Sequence, residues 1–386
     1  MRCLRILRLI TRLNVGGPSF QAVLLSHALE TRGFRTLLAA GEPDLLEGDL
    51  RGSARARGVR IESIRAMGRR VSPGWDALAF LRILSLIKRW RPDIVHTHLA
   101  KAGLLGRLAA AASRVPVRVH TFHGHVFSGY FSPGVSAGII RTERVLSRMT
   151  DRIVTVGASV KDEICNRYRI APADRVDVIP IGVPMAESVS RSDHPPTVGF
   201  VGRLVPVKDP ILSVRVCSLL QREHPGLILR VAGDGPLRGR MRATAEQLGL
   251  GGALELSGWI GSMTPFYNGI DLLILTSVNE GTPRSIVEAQ AAGIPIVAID
   301  VGGVRDLFRI EREEGDLEIC EEGILVRSRD PHRLAEAARR IMGEPRVQRR
   351  MGAAGRRRVA RVHSEERLIV ETERLYRDLL ARRGRD

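Results

Sequence analysis

Short aliphatic runs alternate with longer stretches of mixed polarity along the whole chain. In the first half the runs are RILRLIT (5–11), RTLLAAG (35–41), DIVHTH (93–98), VRVHTFH (117–123), RIVTVG (152–157) and VDVIPIG (176–182). In the second half they are TVGFVGRL (197–204), LILRVAG (227–233), ALELSG (253–258), DLLILTS (271–277), PIVAID (295–300) and GILV (323–326). The runs are continuous rather than alternating, as strands covered on both faces require, and the intervening segments are long enough for crossover helices. That pattern predicts two parallel, doubly wound α/β domains. The polar segment PMAESVSRSDHPP (184–196), framed by prolines, reads as the linker. Near the C-terminus Leu368, Ile369, Thr372, Leu375, Tyr376 and Leu379 recur at helical spacing, which predicts an amphipathic closing helix. The expected division is 1–185, 186–365 and a terminal helix over 366–386.

A length of 386 residues with 44% hydrophobic content suits two domains with sizeable cores. Arg107, Arg114 and Pro116 interrupt LLGRLAAAASRVPV, which therefore falls short of the roughly 18 residues that a membrane span needs. The opening MRCLRILRLITRLNVGG intersperses Arg with aliphatics and reads as a first strand, not a signal peptide, so a cytoplasmic location is expected. Cys3, Cys165, Cys217 and Cys320 are scattered and read as four buried thiols, with no disulfide framework or cysteine zinc site.

Charge is distributed unevenly. The chain carries a formal +18, and residues 1–185 hold 29 Lys and Arg against 14 Asp and Glu. A basic first half can face the phosphates of anionic lipid or nucleic acid, or can reflect a general preference for Arg. Nucleic acid is disfavoured, because aromatics are 4% of residues and no zinc-finger or RNP-like motif occurs.

A doubly wound sheet binds ligands beyond the carboxyl ends of its strands, so chemistry is sought there. VGRLVPVKDP places Arg203 after a strand and Lys208 at the opening of a helix, as a diphosphate clamp or as two solvated surface cations. VAGDGP is a Gly-rich turn better read as structural. NEGTPRSIVEA (279–289) joins Glu280 to a Gly281-Thr282-Pro283 turn that exposes the amides of Arg284, Ser285 and Ile286 at a helix start. Glu280 can accept from sugar hydroxyls. Glu288, on the helix, can bind a vicinal diol such as ribose or be an ordinary surface acid. In the first half, Gly16 and Gly17 of NVGGPSF let a ligand approach the backbone, and the absence of G-x-G-x-x-G disfavours NAD. HTFHGHVFSGYF (120–131) raises a metal question, but no nearby acid or Cys completes a ligand set, and His123 instead reads as a donor to a substrate oxygen.

Taken in order, NVGGP, HTFHG, VGRLVPVKDP, VAGDGP and NEGTPRSIVEA resemble the family-4 (group 1) retaining glycosyltransferases of the GT-B fold, over almost the whole chain. The resemblance implies two Rossmann-like domains facing across a cleft, the first binding acceptor and the second a nucleoside-diphosphate sugar, most often a UDP-sugar. Arg203 and Lys208 would hold the diphosphate, Glu280 the transferred sugar and Glu288 the ribose. His123 would contact the sugar near the reaction centre, Gly16 and Gly17 would approach the diphosphate and the acceptor, and Trp259 and Ile260 would lie near the base. The terminal helix would cross back onto the first domain.

The same resemblance implies hexosyl transfer with retained configuration, without metal or cofactor, to a glycan or polyprenyl-diphosphate-linked acceptor in cell-envelope or polysaccharide assembly. A peripheral place on an anionic membrane face would follow. HVFSGYF resembles a subset acting in that assembly. Arg284 departs from the family, where an apolar residue or glycine is common, and this bears on which sugar is moved. No D-x-D motif occurs. Two alternatives stand beside transfer: a non-hydrolysing nucleotide-sugar epimerase of the same architecture, and a non-catalytic sugar-nucleotide-binding scaffold.

Overall fold

The computed structural model describes residues 3–44, 47–68, 70–124, 127, 132–185 and 194–384. Most of HVFSGYF and the middle of the linker lie outside these residues. The chain divides into two compact units, Met1–Gly182 with Glu366–Asp386, and Val183–Glu365.

The first unit is built on β1 (Leu4–Arg12), β2 (Phe34–Gly41), β3 (Ile61–Ser63), β4 (Ile94–His98), β5 (Val117–Phe122), β6 (Arg152–Thr155) and β7 (Val176–Val178), all parallel, in the order β3-β2-β1-β4-β5-β6-β7. Helices α1 (Gly17–Ala28), α2 (Arg51–Ala56), α3 (Pro73–Trp90), α4 (Ala100–Ala112), α5 (Pro133–Arg148) and α6 (Ala158–Asp162) make the crossovers. The sheet is covered on both sides, which explains the unbroken apolar runs. Leu7 and Leu9 join a core with Ile83, Ile87 and Ala109 of α3 and α4, whereas Ile6 packs with Leu25 and Leu29 on the opposite face. Arg8, in the middle of β1, is the exception: it is wholly buried.

The second unit contains β8 (Thr197–Val201), β9 (Ile228–Ala232), β10 (Leu254–Leu256), β11 (Leu272–Leu275), β12 (Ile296–Ile299), β13 (Ile310–Glu314), β14 (Leu317–Cys320) and β15 (Gly323–Val326), in the order β10-β9-β8-β11-β12-β15-β14-β13. Its helices are α7 (Pro210–Gln221), α8 (Arg238–Gln247), α9 (Thr264–Asn268), α10 (Arg284–Ala291), α11 (Pro331–Met342) and α12 (Pro345–Val362). The first five strands and β15 run parallel, while β13, β14 and β15 form an antiparallel meander at one edge. The apolar-run reading finds neither β13 nor β14 and also misses β3. The sequence IEREE of β13 has no apolar run because the strand is almost wholly solvated, its acids paired with Arg312, Arg327 and Arg350. Charges of this kind protect an open sheet edge.

Helix α13 (Glu365–Ala381) returns to the first unit. Leu368, Tyr376 and Leu380 are almost completely buried and share a core with Ile6 and Phe34. At about 1.5–3 kcal/mol for each large apolar side chain buried, the helix is an integral part of that unit. Arg32 clasps it by bonds to Glu373 (3.0 Å) and Glu366 (2.6 Å). Cys217 and Cys320 are buried thiols, but Cys3 is exposed and Cys165 partly so, because they sit at a strand start and on a short helical turn. Among the described residues no helix is long and apolar enough to cross a membrane.

In the parallel part of each sheet the strand order reverses at one place: between β1 and β4, and between β8 and β11. Neighbouring strands there send their connections to opposite faces, which opens a crevice at the strand ends.

Candidate functional site

At the second unit's reversal point, the loops after β8 and β11 carry Arg203, Lys208 and Glu280. Arg203 follows β8 and is partly buried. A 3-10 turn, Pro206–Lys208, leads into Asp209, which adopts the left-handed φ of 41° and caps α7 by accepting from the Leu212 amide at 3.3 Å. The turn is locked to β11: the Val278 amide donates to the Val207 carbonyl (2.8 Å), and the Thr276 hydroxyl to the Asp209 carbonyl (2.8 Å). Arg329 seals the junction from the far side, donating to the Ser277 carbonyl (2.9 Å), the Thr276 carbonyl (3.1 Å) and the Asp209 carboxylate. With both loops anchored, Lys208 Nζ reaches Oε1 of Glu280, and the Ser277 hydroxyl donates to the same oxygen at 2.6 Å. The Glu280 side chain is 9% exposed and that of Lys208 21%. The Glu280 backbone is gripped as well: Gly303 donates to its carbonyl (3.1 Å), and Gly302, at φ 56°, lies so close that a Cβ would come within 2.0 Å of that oxygen.

Glu288, on α10, is held on both oxygens. The Tyr267 hydroxyl, from α9, donates to Oε2 at 3.1 Å, and Arg284 Nε to Oε1 at 2.7 Å. The phenol is buried, and loss of hydration, followed by the Glu288 charge, keeps its pKa far above the ordinary tyrosine value. Tyr267 is therefore a fixed donor to the Glu288 carboxyl group. The short helix α10 begins at Arg284 with Pro283 as its cap. One expected open amide is taken: Ile286 donates to the Pro283 carbonyl at 3.1 Å, because the first turn tightens after the proline.

VAGDGP is structural, as its turn reading holds. A Cβ on Gly233 would lie 2.0 Å from the Gly202 carbonyl, and one on Gly235 would lie 2.6 Å from the Leu204 carbonyl. Those close approaches let the Leu204 amide bond the Asp234 carbonyl (2.9 Å), which steadies the loop bearing Arg203. On the next strand out, Gly233 pairs with Gly258, placing Trp259, partly buried, and Ile260, 36% exposed, beside this turn.

In the first unit, Gly16 and Gly17 begin α1 just beyond β1. The histidines of HTFHG part company. His120 points to the α4 face, where Thr97 Oγ1 lies 2.8 Å from its Nδ1, and His123 lies beyond the end of β5 with its Nε2 2.9 Å from His98 Nδ1. Successive strand residues face opposite ways, which accounts for the split. Arg8, His96, His98, Thr121 and Tyr376 complete a buried polar cluster on the His123 side. Burial holds the imidazoles of His96, His98 and His120 well below the usual histidine range, and pushes His123 down to about 3, although the residue as a whole is only partly buried. Among the described residues no three His, Cys, Asp or Glu side chains form a group suited to hold a metal.

Sequence reasoning passed over Ser277, Tyr267, Arg329, Gly302, Arg8 and His98. The signal was present for two of them: an arginine within an apolar strand, and histidines at alternate positions of DIVHTH.

Comparison with known proteins identifies this arrangement. The model of glycosyltransferase family 4 matches residues 15–187, and that of the group 1 glycosyl transferases matches 185–358. An Escherichia coli UDP-Gal:alpha-D-GlcNAc-diphosphoundecaprenol alpha-1,3-galactosyltransferase is 28% identical over 269 residues, 66% of this chain and 69% of its own. A 2-deoxystreptamine N-acetyl-D-glucosaminyltransferase of Streptomyces fradiae is 27% identical over 76% of each chain. Among solved structures, sucrose-phosphate synthase from Thermosynechococcus elongatus superposes with a TM-score of 0.81 at 20% identity, covering 98% of this chain and 99% of that one. HepE of Anabaena, solved with UDP, superposes at 0.77 and 18% identity, covering 97% and 100%. Two family models that together take in nearly the whole chain, laid over two Rossmann-like units, show that it belongs to the group 1, family-4 glycosyltransferases of the GT-B fold.

Proposed function

We propose that the chain transfers a hexose from a UDP-sugar, with retention and without metal, to a glycan or polyprenyl-diphosphate-linked acceptor. The observation that carries this reading is the Lys208–Glu280 pair at the β8/β11 reversal: one cation and one carboxylate, anchored side by side where a doubly wound sheet takes its ligand. Lys208 has further N–H donors for diphosphate oxygens, and Glu280 has a second oxygen for a sugar hydroxyl.

Arg203 and the opening of α10 at Thr282, Pro283, Arg284 and Ser285, next to Gly281, add positive potential as the diphosphate leaves, an electrostatic task that needs no proton donor. Glu288, steadied by Tyr267 and Arg284, is assigned to the ribose, and Trp259 with Ile260 to the base. In the first unit, Gly16, Gly17 and His123 are assigned to sugar and acceptor oxygens. The acceptor hydroxyl attacks from the side of the departing diphosphate, which takes its proton. Uridine is favoured because the E. coli relative is named for UDP-Gal and the Anabaena structure was solved with UDP. The epimerase and scaffold alternatives have no observation in their favour, since the two reported relatives are transferases.

The same relative's acceptor is a diphosphoundecaprenol lipid, and the first unit carries a surface suited to a membrane. Along α3, Trp75 (59% exposed), Leu78 and Leu81 (60%) face solvent beside Arg82 and Arg89, and Val71 precedes them. Apolar side chains edged by arginines match an anionic bilayer interface.

The test is a thermal-shift panel of UDP, GDP, ADP and NADH, each with and without EDTA, followed by mass detection of sugar-nucleotide breakdown. Stabilisation by UDP that survives EDTA, with slow release of sugar from one UDP-sugar, is expected. A shift with NADH alone, or with none of the four, overturns the donor assignment.

A further inference from the structure

We propose that Arg8 is a positioning residue that, through His98, fixes His123 in its Nδ1–H tautomer, so that His123 meets its ligand as a hydrogen-bond donor and not as a base. The functional meaning rests on the assignment of His123 to a sugar or acceptor oxygen; the tautomer itself does not.

One chain of hydrogen bonds leads from Arg8 through His98 to His123. A guanidinium only donates. Arg8 Nη1 lies 3.2 Å from His98 Nε2, so that nitrogen accepts. A neutral His98 then carries its proton on Nδ1, which lies 2.9 Å from His123 Nε2. His123 Nε2 must in turn accept, and its proton sits on Nδ1. The lone pair that would make His123 a base is thereby occupied. The second hydrogen on Arg8 Nη1 is directed to His96 Nδ1 at 3.1 Å, which the Tyr376 hydroxyl also approaches at 2.5 Å. His96 consequently accepts at Nδ1 and donates from Nε2 to Thr121 Oγ1 at 2.7 Å. Along Arg8, His98 and His123 the guanidinium fixes each donor and acceptor, while the single lone pair of His96 Nδ1 is shared between Arg8 and Tyr376.

The relay holds while the imidazoles stay neutral. Burial first, and the Arg8 charge after it, keep His96 and His123 neutral at physiological pH; for His98 the neighbouring His96 and His123 add to burial ahead of Arg8. The charged or titratable groups around them are Arg8 from β1, His96 from β4, His120 across the sheet and Tyr376 from α13.

Arg8 is a costly residue to keep here. It is wholly buried, bonds Ser26 Oγ at 3.3 Å through Nε, leaves Nη2 without a partner, and has no carboxylate partner among the described residues. A buried cation without an acid is destabilising by several kcal/mol where an aliphatic residue, as at Leu7 and Leu9, would pack freely. Backbone strain marks the same place: Leu99, directly after His98, is held at φ 68° and ψ 159°, a region that side-chain-bearing residues avoid.

The experiment is 15N NMR of the full chain labelled at histidine, with His123→Gln assigning the His123 signals. Long-range 1H–15N spectra distinguish a protonated from an unprotonated ring nitrogen. Wild type is expected to show His123 neutral at pH 7 with Nδ1 protonated and Nε2 bare. In Arg8→Met and in His98→Leu a second His123 signal with Nε2 protonated should appear. His98→Asn, whose amide nitrogen takes the place of Nδ1 while its oxygen accepts from Arg8, should restore the wild-type signal. A wild-type His123 protonated on Nε2, or an unchanged signal in folded Arg8→Met, overturns the proposal; should Arg8→Met fail to fold, an unchanged signal in His98→Leu does so. No substrate is needed, so failure of the donor assignment would leave this result intact and be visible separately.

Discussion

Lys208 donates to Glu280 across 72 positions of sequence, and Ser277 donates to the same oxygen, Oε1. Two charged side chains that would each be expensive to bury are thereby held ready in mutual neutralisation. In the donor site proposed above, a sugar nucleotide would give both a new partner without either having to leave its loop.

Glu280→Gln is expected to leave UDP affinity within about threefold of wild type while lowering turnover of the sugar nucleotide by roughly a hundredfold, since an amide keeps the shape but loses the charge that sugar hydroxyls bond most strongly. Calorimetric titration of UDP beside product formation measures the two effects. Equal losses in both would mean that Glu280 is misplaced.

Lys208→Met removes the phosphate donor proposed above and takes the cation from the Glu280 carboxylate. Affinity for UDP should fall roughly ten- to a hundredfold, from the worth of a charge-assisted bond, while affinity for uridine stays nearly constant. A parallel fall for uridine would count against a diphosphate contact.

Tyr267→Phe deletes the donor to Glu288 Oε2 and to the Ser285 carbonyl. About 1 kcal/mol of nucleotide affinity should be lost, and Glu288→Ala should abolish any preference for UDP over its 2′-deoxy counterpart. Competition binding with the two nucleotides decides it; an undiminished preference would remove Glu288 from the ribose.

Stability should depend steeply on acid. His96, His98, His120 and His123 are kept neutral when folded, below the usual value of about 6.5 that the unfolded chain regains. Above that value neither state binds the protons. Below it the unfolded state binds them and the native state does not, so stability is full above pH 6.5 and is lost as pH falls toward 3. The slope is about 1.4 kcal/mol per pH unit for each histidine, up to about 5.5 for all four together. Denaturant unfolding at pH 7.5, 6.5, 5.5 and 4.5 measures it; a flat profile down to pH 5 would show that these rings are solvated.

Vesicle flotation tests the surface on α3. Trp75→Ser with Leu81→Ser should release the chain from vesicles containing anionic phosphatidylglycerol, at least fivefold by the roughly 2 kcal/mol of apolar contact removed. Binding that depends on salt but not on these two side chains would leave only a diffuse basic attraction.

The alternation of continuous apolar runs and crossover segments was enough to read two doubly wound sheets, and the loops after β8 and β11 could be picked out because a fold of this kind brings strand ends together. What joined those loops could not be read. The Lys208–Glu280 bond depends on Val278 locking onto Val207 and on Arg329 arriving from the far side, long-range events with no local pattern. Glu288 could be read either as a ribose ligand or as a surface acid, because its partner Tyr267 belongs to the five-residue helix α9, too short to leave a periodic trace. Arg8 stands out as an arginine within an apolar strand, but only the register of β1 against β4 sets it beside His96 and His98.

The first unit is made from both ends of the chain, and this has a consequence for biosynthesis. The second unit is contiguous, from Val183 to Glu365, and can complete its core as it leaves the ribosome. The first cannot, although it is made earlier: Ile6, Leu25, Leu29 and Phe34 wait for Leu368, Tyr376 and Leu380, and the His96 ring waits for the Tyr376 hydroxyl. A chain that stopped short of Leu368 would thus carry a finished second unit while Ile6 and Phe34 still presented an open apolar face to the cell's quality-control machinery.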